Sequence, residues 1–312
     1  MQYTSPEEAR EFNAALMEKL ASTDPMLQKQ GADMVTDFTR WRYREEGWLP
    51  KILSPIPVSN SDLQRSVRTD RNVIVIDLEP ESPAAMMVGY NDWPEGHLII
   101  GRRYEAAFHR WQTPRFMVDT SLLRTYHIDL RTVLSDNALK DLMAAEDHGL
   151  KSSVDSILIS ANAVLPTSGV AQWRTHADMS RDSLMDAAKT LRTTPSHLYP
   201  AVWLVNDVTI FDIMKFGRDE AGGDVAQDFF LNGFTQEKIN GIPIIITNKH
   251  TLVPTGTIYQ FAPQNALGKH FVLQDVTMYI RHEAYNLEFF SYKESCAVIG
   301  NVNAVARNDF NV

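Results

Sequence analysis

Cysteine and long apolar runs are both scarce in this sequence. Cys296 is the one cysteine, so no disulfide can form within the chain, which excludes a disulfide-stapled scaffold and favours a reducing compartment. The apolar runs, such as 242–246, stop after about six residues, whereas a membrane-spanning helix needs about 20. The first residues carry neither the basic nor the apolar segment of a signal peptide. We therefore expect no membrane span and no signal peptide.

A surplus of positive charge is also missing. Aspartate and glutamate number 39 and lysine and arginine 30, which gives a formal charge of −9 and a pI of about 5.5. Proteins that bind nucleic acid tightly usually have more basic than acidic residues, so tight, sequence-specific DNA binding is not expected. The 312 residues, 44% of them apolar, suffice for one large domain or two smaller ones.

The familiar catalytic motifs are absent as well: the sequence has no Gly-x-x-x-x-Gly-Lys, Gly-x-Gly-x-x-Gly, His-Glu-x-x-His or Gly-x-Ser-x-Gly. Glu146, Asp147 and His148 form the densest acid and imidazole cluster. Three successive residues of a helix point in three directions, so we interpret them as a solvated or interface-facing patch. Cys296 lies among apolar residues and is interpreted as a buried small hydrophobe. A soluble α+β hydrolase that uses Asp147, His148 or His282 stays open as an alternative.

Apolar residues recur at three- and four-residue steps in four segments, which predicts helices at 5–21, 25–47, 135–163 and 180–193. The strongest is 135–163, which Ser135 or Asp136 can cap and which spans roughly 40 Å. Gly149 inside it costs about 1 kcal/mol relative to alanine and can mark a bend. Three prolines between 50 and 60 predict an extended connector.

Short β-branched runs predict strands. The first, 73–76, belongs to a predicted long β-hairpin over 67–118 with a charged outer part. Further strands are expected at 201–205, 242–247, 257–262, 271–281 and 287–299, with a short helix at 208–216. Because these strands alternate poorly with helices, the α+β class is favoured over a doubly wound sheet.

The ordered segments of the second half resemble the major capsid protein of tailed double-stranded DNA bacteriophages, the Hong Kong 97-like fold. Segment 201–216 looks like the strand and helix that open the axial domain of that family. Segment 240–248, Asn-Gly-Ile-Pro-Ile-Ile-Ile-Thr-Asn, looks like its Gly-x-Pro strand. Segments 257–262 and 289–297 look like a later strand and the closing strand. The resemblance covers about 60–312 and depends on the whole ordered set.

The resemblance implies four regions. They are an N-terminal arm at 1–66, an extended β-hairpin loop at 67–118, a peripheral domain at 119–179 and 271–299 with a spine helix at about 135–163, and an axial domain at 180–270 and 300–312. The implied function is self-assembly into hexamers and pentamers of an icosahedral phage head, without enzymatic activity or cofactor. Long segments with no core of their own agree with this, because neighbouring copies can complete their packing.

The implied partners are other copies of the chain, packaged double-stranded DNA without sequence specificity, a portal and, in some shells, a decoration protein. About 60 residues precede the predicted loop, so we expect a separate scaffold protein and no large N-terminal cleavage. An encapsulin-like nanocompartment shell has the same fold and stays a second alternative, although its arm is usually shorter.

Arginine, not lysine, is the basic residue of the predicted loop. In the namesake phage a loop lysine joins an asparagine of a neighbouring subunit, but here no lysine occurs between Lys51 and Lys140. Arginine stays protonated and is a poor nucleophile, yet it pairs well with carboxylates. We therefore expect a non-covalent shell in which the loop lies over a neighbour's acidic surface. The predicted contact residues are Arg102, Arg103, Tyr104, Arg110, Trp111 and Arg115.

Basic and aromatic residues interleave near the end of the predicted arm. Arg40, Arg42 and Arg44 are candidates for contact with packaged DNA through its phosphates or with a neighbouring subunit. Because Glu45 and Glu46 follow at once, an ordinary amphipathic helix is the other interpretation.

Overall fold

The computed structural model describes residues 44–66, 68, 70–80, 85–93, 96–98, 101, 103–123, 130–164, 172–214, 238–239, 241–283 and 285–311. The helix predicted at 5–21 and most of the one predicted at 25–47 lie outside these residues. Among the described helices, none is long and apolar enough to cross a membrane.

The described elements mix helices with strands. The helices are α1 (Leu49–Ile52), α2 (Thr120–Leu123), α3 (Leu130–Val164), α4 (Arg181–Lys189), α5 (Asp207–Met214) and α6 (Gln264–Leu267). The strands of the first half are β1 (Pro55–Pro57), β2 (Gln64–Arg65), β3 (Asn72–Asp77), β4 (Arg103–Ala107), β5 (His109–Gln112), β6 (Phe116–Asp119) and β7 (Trp173–His176). Those of the second half are β8 (Val202–Asn206), β9 (Lys238–Ile239), β10 (Ile242–Thr247), β11 (Thr257–Phe261), β12 (Gly268–Glu283), β13 (Asn286–Ile299) and β14 (Val305–Phe310).

A six-stranded mixed sheet, in the order β7-β14-β11-β8-β10-β9, has an apolar core on each face. Successive side chains of a strand point to opposite faces. On β8, Trp203 and Val205 therefore pack against α4 and α5, while Leu204 packs against α1 and α3. The strands predicted at 242–247 and 257–262 are confirmed. Strand β7 was not predicted, and it places part of 119–179 in the same sheet as the segments that were assigned to the axial domain.

A five-stranded sheet is built on the long antiparallel pair β12 and β13, whose register runs from Gly268 opposite Ile299 to Glu283 opposite Asn286. Strand β1 pairs with β12 on one side, and β5 and β6 both pair with β13 on the other. Gly268 allows the strands to meet at this end, because a Cβ there would lie 2.0 Å from the carbonyl oxygen of Val298. The strands predicted at 271–281 and 287–299 are confirmed and are slightly longer.

The long helix α3 crosses both sheets. Leu150, Val154 and Leu158 contribute to the core of the six-stranded sheet, and Leu134 packs against the far end of the five-stranded one. The helix begins five residues earlier than the predicted start at 135. Asp136 does not cap it but pairs with Lys140 one turn on, at 3.3 Å.

The hairpin loop is shorter than predicted. Strands β3 and β4 do pair antiparallel, from Val73 opposite Ala107 to Asp77 opposite Arg103, which confirms a hairpin there. The prediction that 67–118 is one hairpin is wrong for its last part, because β5 and β6 pair with β13 instead. A second correction concerns 44–60, where 44–47 are not helical and the connector contains the short helix α1, with Pro50 in its first turn.

Candidate functional site

The centre of α3 carries a fully buried carboxylate that joins three parts of the chain. Asp147 accepts hydrogen bonds from the backbone N–H groups of Trp48, at 3.2 Å, and Leu49, at 2.9 Å. Its other partner is the Lys249 ammonium, at 2.5 Å. Lys249 follows β10, and its ammonium also donates to the carbonyl oxygen of Glu46. Asp147 thus ties the segment before α1 and the turn after β10 to the long helix.

The preceding residue, Glu146, ties the five-stranded sheet to the same long helix. Its carboxylate accepts hydrogen bonds from the Lys293 ammonium at 2.8 Å and from the Ser295 hydroxyl, both on β13. The Nε2 atom of His270, a buried residue of β12, lies 3.9 Å away. Neighbouring acids on one helix therefore hold two different sheets, and we call Glu146 and Asp147 the helix clamp.

The two acids of the clamp differ in their pKa. Burial by itself raises the pKa of Glu146, but the contacts with His270, Lys293 and Ser295 outweigh burial and hold the pKa below its ordinary value. Burial also raises the pKa of Asp147, and there the Lys249 pair and the backbone N–H groups offset it only in part, so the pKa stays above its ordinary value. The two groups should therefore respond to acid in opposite directions.

The prediction that 146–148 form a solvated or interface-facing patch is wrong for two of its three residues. Glu146 and Asp147 are buried, and only His148 is exposed. The carboxylates of Glu146 and Asp147 do point to different parts of the chain, since they pair with Lys293 and Lys249. The residues considered for hydrolysis are not assembled either, because Asp147 is bound to Lys249 and His282 lies opposite Leu287 near the far end of the β12–β13 pair. Among the described residues no cluster of histidine, cysteine and acids suits a metal ion.

Trp111 is seated on the long helix of its own chain. The indole Nε1 donates to the Ser295 hydroxyl at 3.1 Å. A Cβ on Gly149 would lie 2.9 Å from the Cη2 atom of this ring, so the helix needs glycine there to admit the indole. This explains a glycine that the sequence suggested as a bend. The ring is therefore half-buried inside its own subunit, and its contact with a neighbour stays a prediction.

Two of the predicted loop arginines also have carboxylate partners within the chain. Arg103 pairs with Asp77 across the hairpin at 2.6 Å, and Arg110 pairs with Glu294 at 2.5 Å while lying 5.7 Å from the centre of the Tyr292 ring. The side chains of Arg103, Asp77 and Arg110 stay largely exposed, whereas that of Glu294 is mostly covered. Acidic partners were predicted on a neighbour, and the structure supplies them from the same subunit.

The remaining predicted contact residues are placed as follows. Arg115 is exposed, and Tyr104 on β4 is half-buried, where burial first and Cys296 second raise its pKa. Arg44 donates to Asp141 at 3.0 Å and to Asn137 at 3.1 Å, both on α3. Arg40, Arg42 and Arg102 lie outside the described residues.

Cys296 is buried between the β12–β13 pair and the base of the hairpin loop. Burial raises the pKa of its thiol to about 11, so the sulfur stays a neutral thiol at neutral pH. The prediction of a buried small hydrophobe is confirmed.

Exposed apolar side chains crowd the outer part of the hairpin loop, between β3 and β4. Met87 is 98% exposed and Trp93 93%, so no described part of the chain buries either side chain. Met86, Tyr90 and Leu98 of the same segment are exposed as well, and we call these five residues the loop tip. Large apolar side chains exposed in one segment are typical of an interaction site. The predicted contact residues of this loop were mainly its arginines, and its apolar residues were not predicted, although Met86, Met87, Tyr90 and Trp93 stand close together in the sequence.

Comparison of the sequence with family models gives no match, and comparison with curated proteins gives none. Solved structures do match. The structure from Mycobacterium phage Adephagia has a TM-score of 0.63 at 9% identity and covers 94% of this chain and 99% of its own. The bacteriophage PhiM1 mature capsid has a TM-score of 0.59 at 8% identity, covering 89% and 91%. The capsid of an empty GTA particle has a TM-score of 0.57 at 13% identity, covering 96% and 99%.

The chain therefore has the fold of these phage capsid structures, the Hong Kong 97-like fold of the α+β class that the ordered segments predicted. The matches extend over roughly nine-tenths of the chain. Identities this low establish architecture and leave function to be argued from the surfaces.

Proposed function

We propose that the chain is the major capsid protein of a tailed double-stranded DNA phage, a structural protein located in the virion and not an enzyme. The observation that carries the proposal is the match of its fold to capsid structures over roughly nine-tenths of the chain. We further propose that copies form hexamers and pentamers that close an icosahedral shell. The loop tip supports self-association, because it exposes large apolar side chains that no described part of the same chain covers.

We propose the domain scheme expected from the resemblance with two changes, a shorter extended loop and the transfer of β7 to the axial domain. Residues 1–66 would be the arm, and the extended loop would be the hairpin of β3 and β4. The five-stranded sheet would form the peripheral domain, and the six-stranded sheet the axial domain. Strand β7 belongs with the latter, because it pairs with β14. The helix clamp would keep the two domains and the end of the arm in register.

The contact of the loop with a neighbouring subunit would be apolar at its tip. Arg103 and Arg110 already pair with Asp77 and Glu294, so they would contribute at the rim, where charge pairs add little affinity. Met87, Tyr90 and Trp93 would supply the buried area. Arg115 stays a proposed contact.

Electron microscopy of the purified protein under assembly conditions tests the function. DNA-filled or empty heads with five-fold and six-fold capsomers would support it. Small uniform cages that hold an enzyme would favour an encapsulin-like shell instead. A compact 35.3 kDa species at every concentration, with no particle, would contradict both.

The shell would be held without covalent links. No lysine occurs between Lys51 and Lys140, so the hairpin loop has no amine to form an amide with a neighbour. Boiled particles should give one band near 35.3 kDa on a denaturing gel, and a ladder of reductant-resistant bands would contradict this.

Other partners would be packaged double-stranded DNA, a portal, a separate scaffold protein and, in some shells, a decoration protein. With a formal charge of −9, DNA contact would depend on scattered arginines, with Arg40 and Arg42 as the arm candidates. Arg44 is a weaker candidate, because it already pairs with Asp141. Reversing the charge of Arg40 and Arg42 should lower the amount of DNA packaged. Unchanged DNA content in intact heads would remove both from the assignment.

A further inference from the structure

A row of polar side chains crosses the six-stranded sheet beneath α4. Trp203, Gln260 and Asn308 lie on the neighbouring strands β8, β11 and β14. Trp203 stands opposite Gln260 in the register, and Asn308 is two residues along β14 from Ala306, the other partner of Gln260. The three side chains therefore point to one face of the sheet, where the Gln260 amide donates to the carbonyl oxygen of Ala187 on α4 at 3.0 Å. We call Trp203, Gln260 and Asn308 the polar row.

Each member of the polar row keeps one polar atom for which no described residue supplies a hydrogen-bond partner. These atoms are the Nε1 of Trp203, the Oε1 of Gln260 and the Nδ2 of Asn308. All three residues are at most 1% exposed, so bulk solvent does not contact them. Because buried polar atoms are nearly always hydrogen-bonded, three such atoms in one row point to a partner that they share.

The register places one partner within reach of all three side chains. Residues directly opposite each other on antiparallel strands have Cβ atoms about 4.5–5.5 Å apart, and diagonal neighbours about 7–8 Å, which long and aromatic side chains can span. Gln260 is the middle member of the row, with Trp203 opposite on one strand and Asn308 diagonal on the other. A group bound to the Oε1 of Gln260 is therefore close to both of the others.

The chemistry of the three atoms selects the class of this partner. The indole N–H of Trp203 can only donate, which excludes a metal cation, and the Oε1 of Gln260 can only accept, which excludes an anion. The Gln260 amide cannot be turned over, because its oxygen would then face the carbonyl oxygen of Ala187. Asn308 fits in either orientation of its amide if the partner both donates and accepts. The partner is therefore small, neutral and able to do both.

The helix side of the site is closed and firmly held. Ala187 and Ala188 of α4 pack in the core on this face and bring only methyl groups to it. The Oδ1 of Asn308 accepts from the Thr190 hydroxyl at 3.3 Å and lies 3.2 Å from the Nε2 of His176. These contacts fix the Asn308 amide, so its third partner must come to it.

We propose that one ordered water molecule is bound beneath α4, where it accepts from the Trp203 indole and the Asn308 amide and donates to the Gln260 oxygen. A buried water typically makes about three hydrogen bonds to polar groups that otherwise have no partner, which is the number that the polar row offers. The water joins β8, β11 and β14 beneath the helix. This inference does not depend on the proposed function, since the site lies within one chain.

A density map that resolves ordered water, from crystals of the subunit or from assembled particles, tests the proposal directly. It should show a peak at about 2.7–3.2 Å from both the Oε1 of Gln260 and the Nε1 of Trp203. No peak between side chains placed as described would overturn the proposal. Side chains of the row that are turned to hydrogen-bond each other directly would overturn it as well.

Trp48 provides a matched comparison in solution. Its indole Nε1 is equally buried and also has no partner among the described residues, but it packs in the apolar core on the opposite face of the sheet. In NMR spectra the indole N–H of Trp203 should show cross-relaxation with water and that of Trp48 none, with Trp203→Phe and Trp48→Phe identifying the two resonances. A signal at both would mean that water enters the core generally, and none at Trp203 would mean that the row is dry. Either result would overturn the bound site.

Gln260→Met tests which atom holds the water, because it keeps the length of the side chain and removes the acceptor. The cross-relaxation of Trp203 with water should be lost in this variant. The indole of Trp173, which donates to Asp309 at 2.6 Å, should keep its chemical shift and so report that the variant is folded. A folded variant that keeps the water signal at Trp203 would overturn the assignment.

Discussion

The centre of α3 and the loop tip differ in how their side chains are satisfied. At the centre, Glu146 and Asp147 are buried, and each carboxylate is paired with a lysine of its own chain. At the tip, Met87 and Trp93 are almost fully exposed and nothing described in the chain covers them. Buried charge thus marks the internal frame of the subunit, while exposed apolar area marks the surface that the subunit leaves for others.

The largest effect on stability is expected from Asp147→Ala. The change leaves the Lys249 ammonium buried without its partner and deprives the N–H groups of Trp48 and Leu49 of their acceptor. It should lower the free energy of unfolding by about 3–5 kcal/mol, measured by urea unfolding of the unassembled subunit. Asp141→Ala is the control: it removes a half-exposed partner of Arg44 and should cost about 1 kcal/mol or less. Equal losses would show that the clamp is no more than a surface pair.

A smaller loss is expected from Gly149→Ala, although alanine is by itself the better helix former by about 1 kcal/mol. The added Cβ would meet the Trp111 ring at 2.9 Å, and such overpacking typically costs about 1–3 kcal/mol. Thermal melting of the subunit measures it. Ser152→Ala, at an exposed position of the same helix, should not destabilise. If Gly149→Ala stabilises the subunit, the indole is not seated as described.

The pH dependence separates the two acids of the clamp. Because the pKa of Glu146 is lower in the folded chain than its ordinary 4.5, ionised Glu146 stabilises the fold above that pH and the benefit is lost as the pH falls below it. The stability advantage of the wild type over Glu146→Gln should therefore shrink on acidification below 4.5.

Asp147 should show the opposite sign. The pKa of Asp147 is raised above the ordinary 3.8. The contribution of this group to the free energy of unfolding is therefore fully present below pH 3.8 and is lost as the pH rises through the pKa of the folded chain. The free energy of unfolding of the wild type should therefore fall relative to that of Asp147→Asn as the pH rises through this pKa. Urea unfolding at a series of pH values, from about 3 to about 7, measures both differences. Two differences of the same sign would contradict the pKa directions.

The smallest effect on stability is expected at the loop tip. Trp93→Ser removes a side chain that is 93% exposed, so the free energy of unfolding of the subunit should change by no more than about 0.5 kcal/mol. Assembly, followed by light scattering, should nevertheless weaken, because the tip would lose apolar area to bury. If Trp93→Ser lowers the stability of the subunit and leaves assembly normal, the loop tip belongs to the internal frame of the subunit and not to its interaction surface.

The sequence by itself determined most of the second half. Short β-branched runs bounded by glycine and proline predicted the strands at 242–247 and 257–262, because residue type and the two-residue period report local structure directly. The long helix followed from its apolar period in the same way. The order of these segments was enough to predict the fold.

Only the tertiary structure decided which charges are buried. Asp147 pairs with Lys249, which is 102 residues away in the sequence, and Glu146 pairs with Lys293, which is 147 residues away. No local pattern reports such partners, and an unpaired acid on a helix is normally solvated, so the sequence favoured a surface patch. The pairing of β5 and β6 with β13 could not be predicted from the sequence either, because strand partners depend on which apolar faces meet when the helix and sheets pack. That packing also places the half-buried ring of Trp111 against the long helix of its own chain.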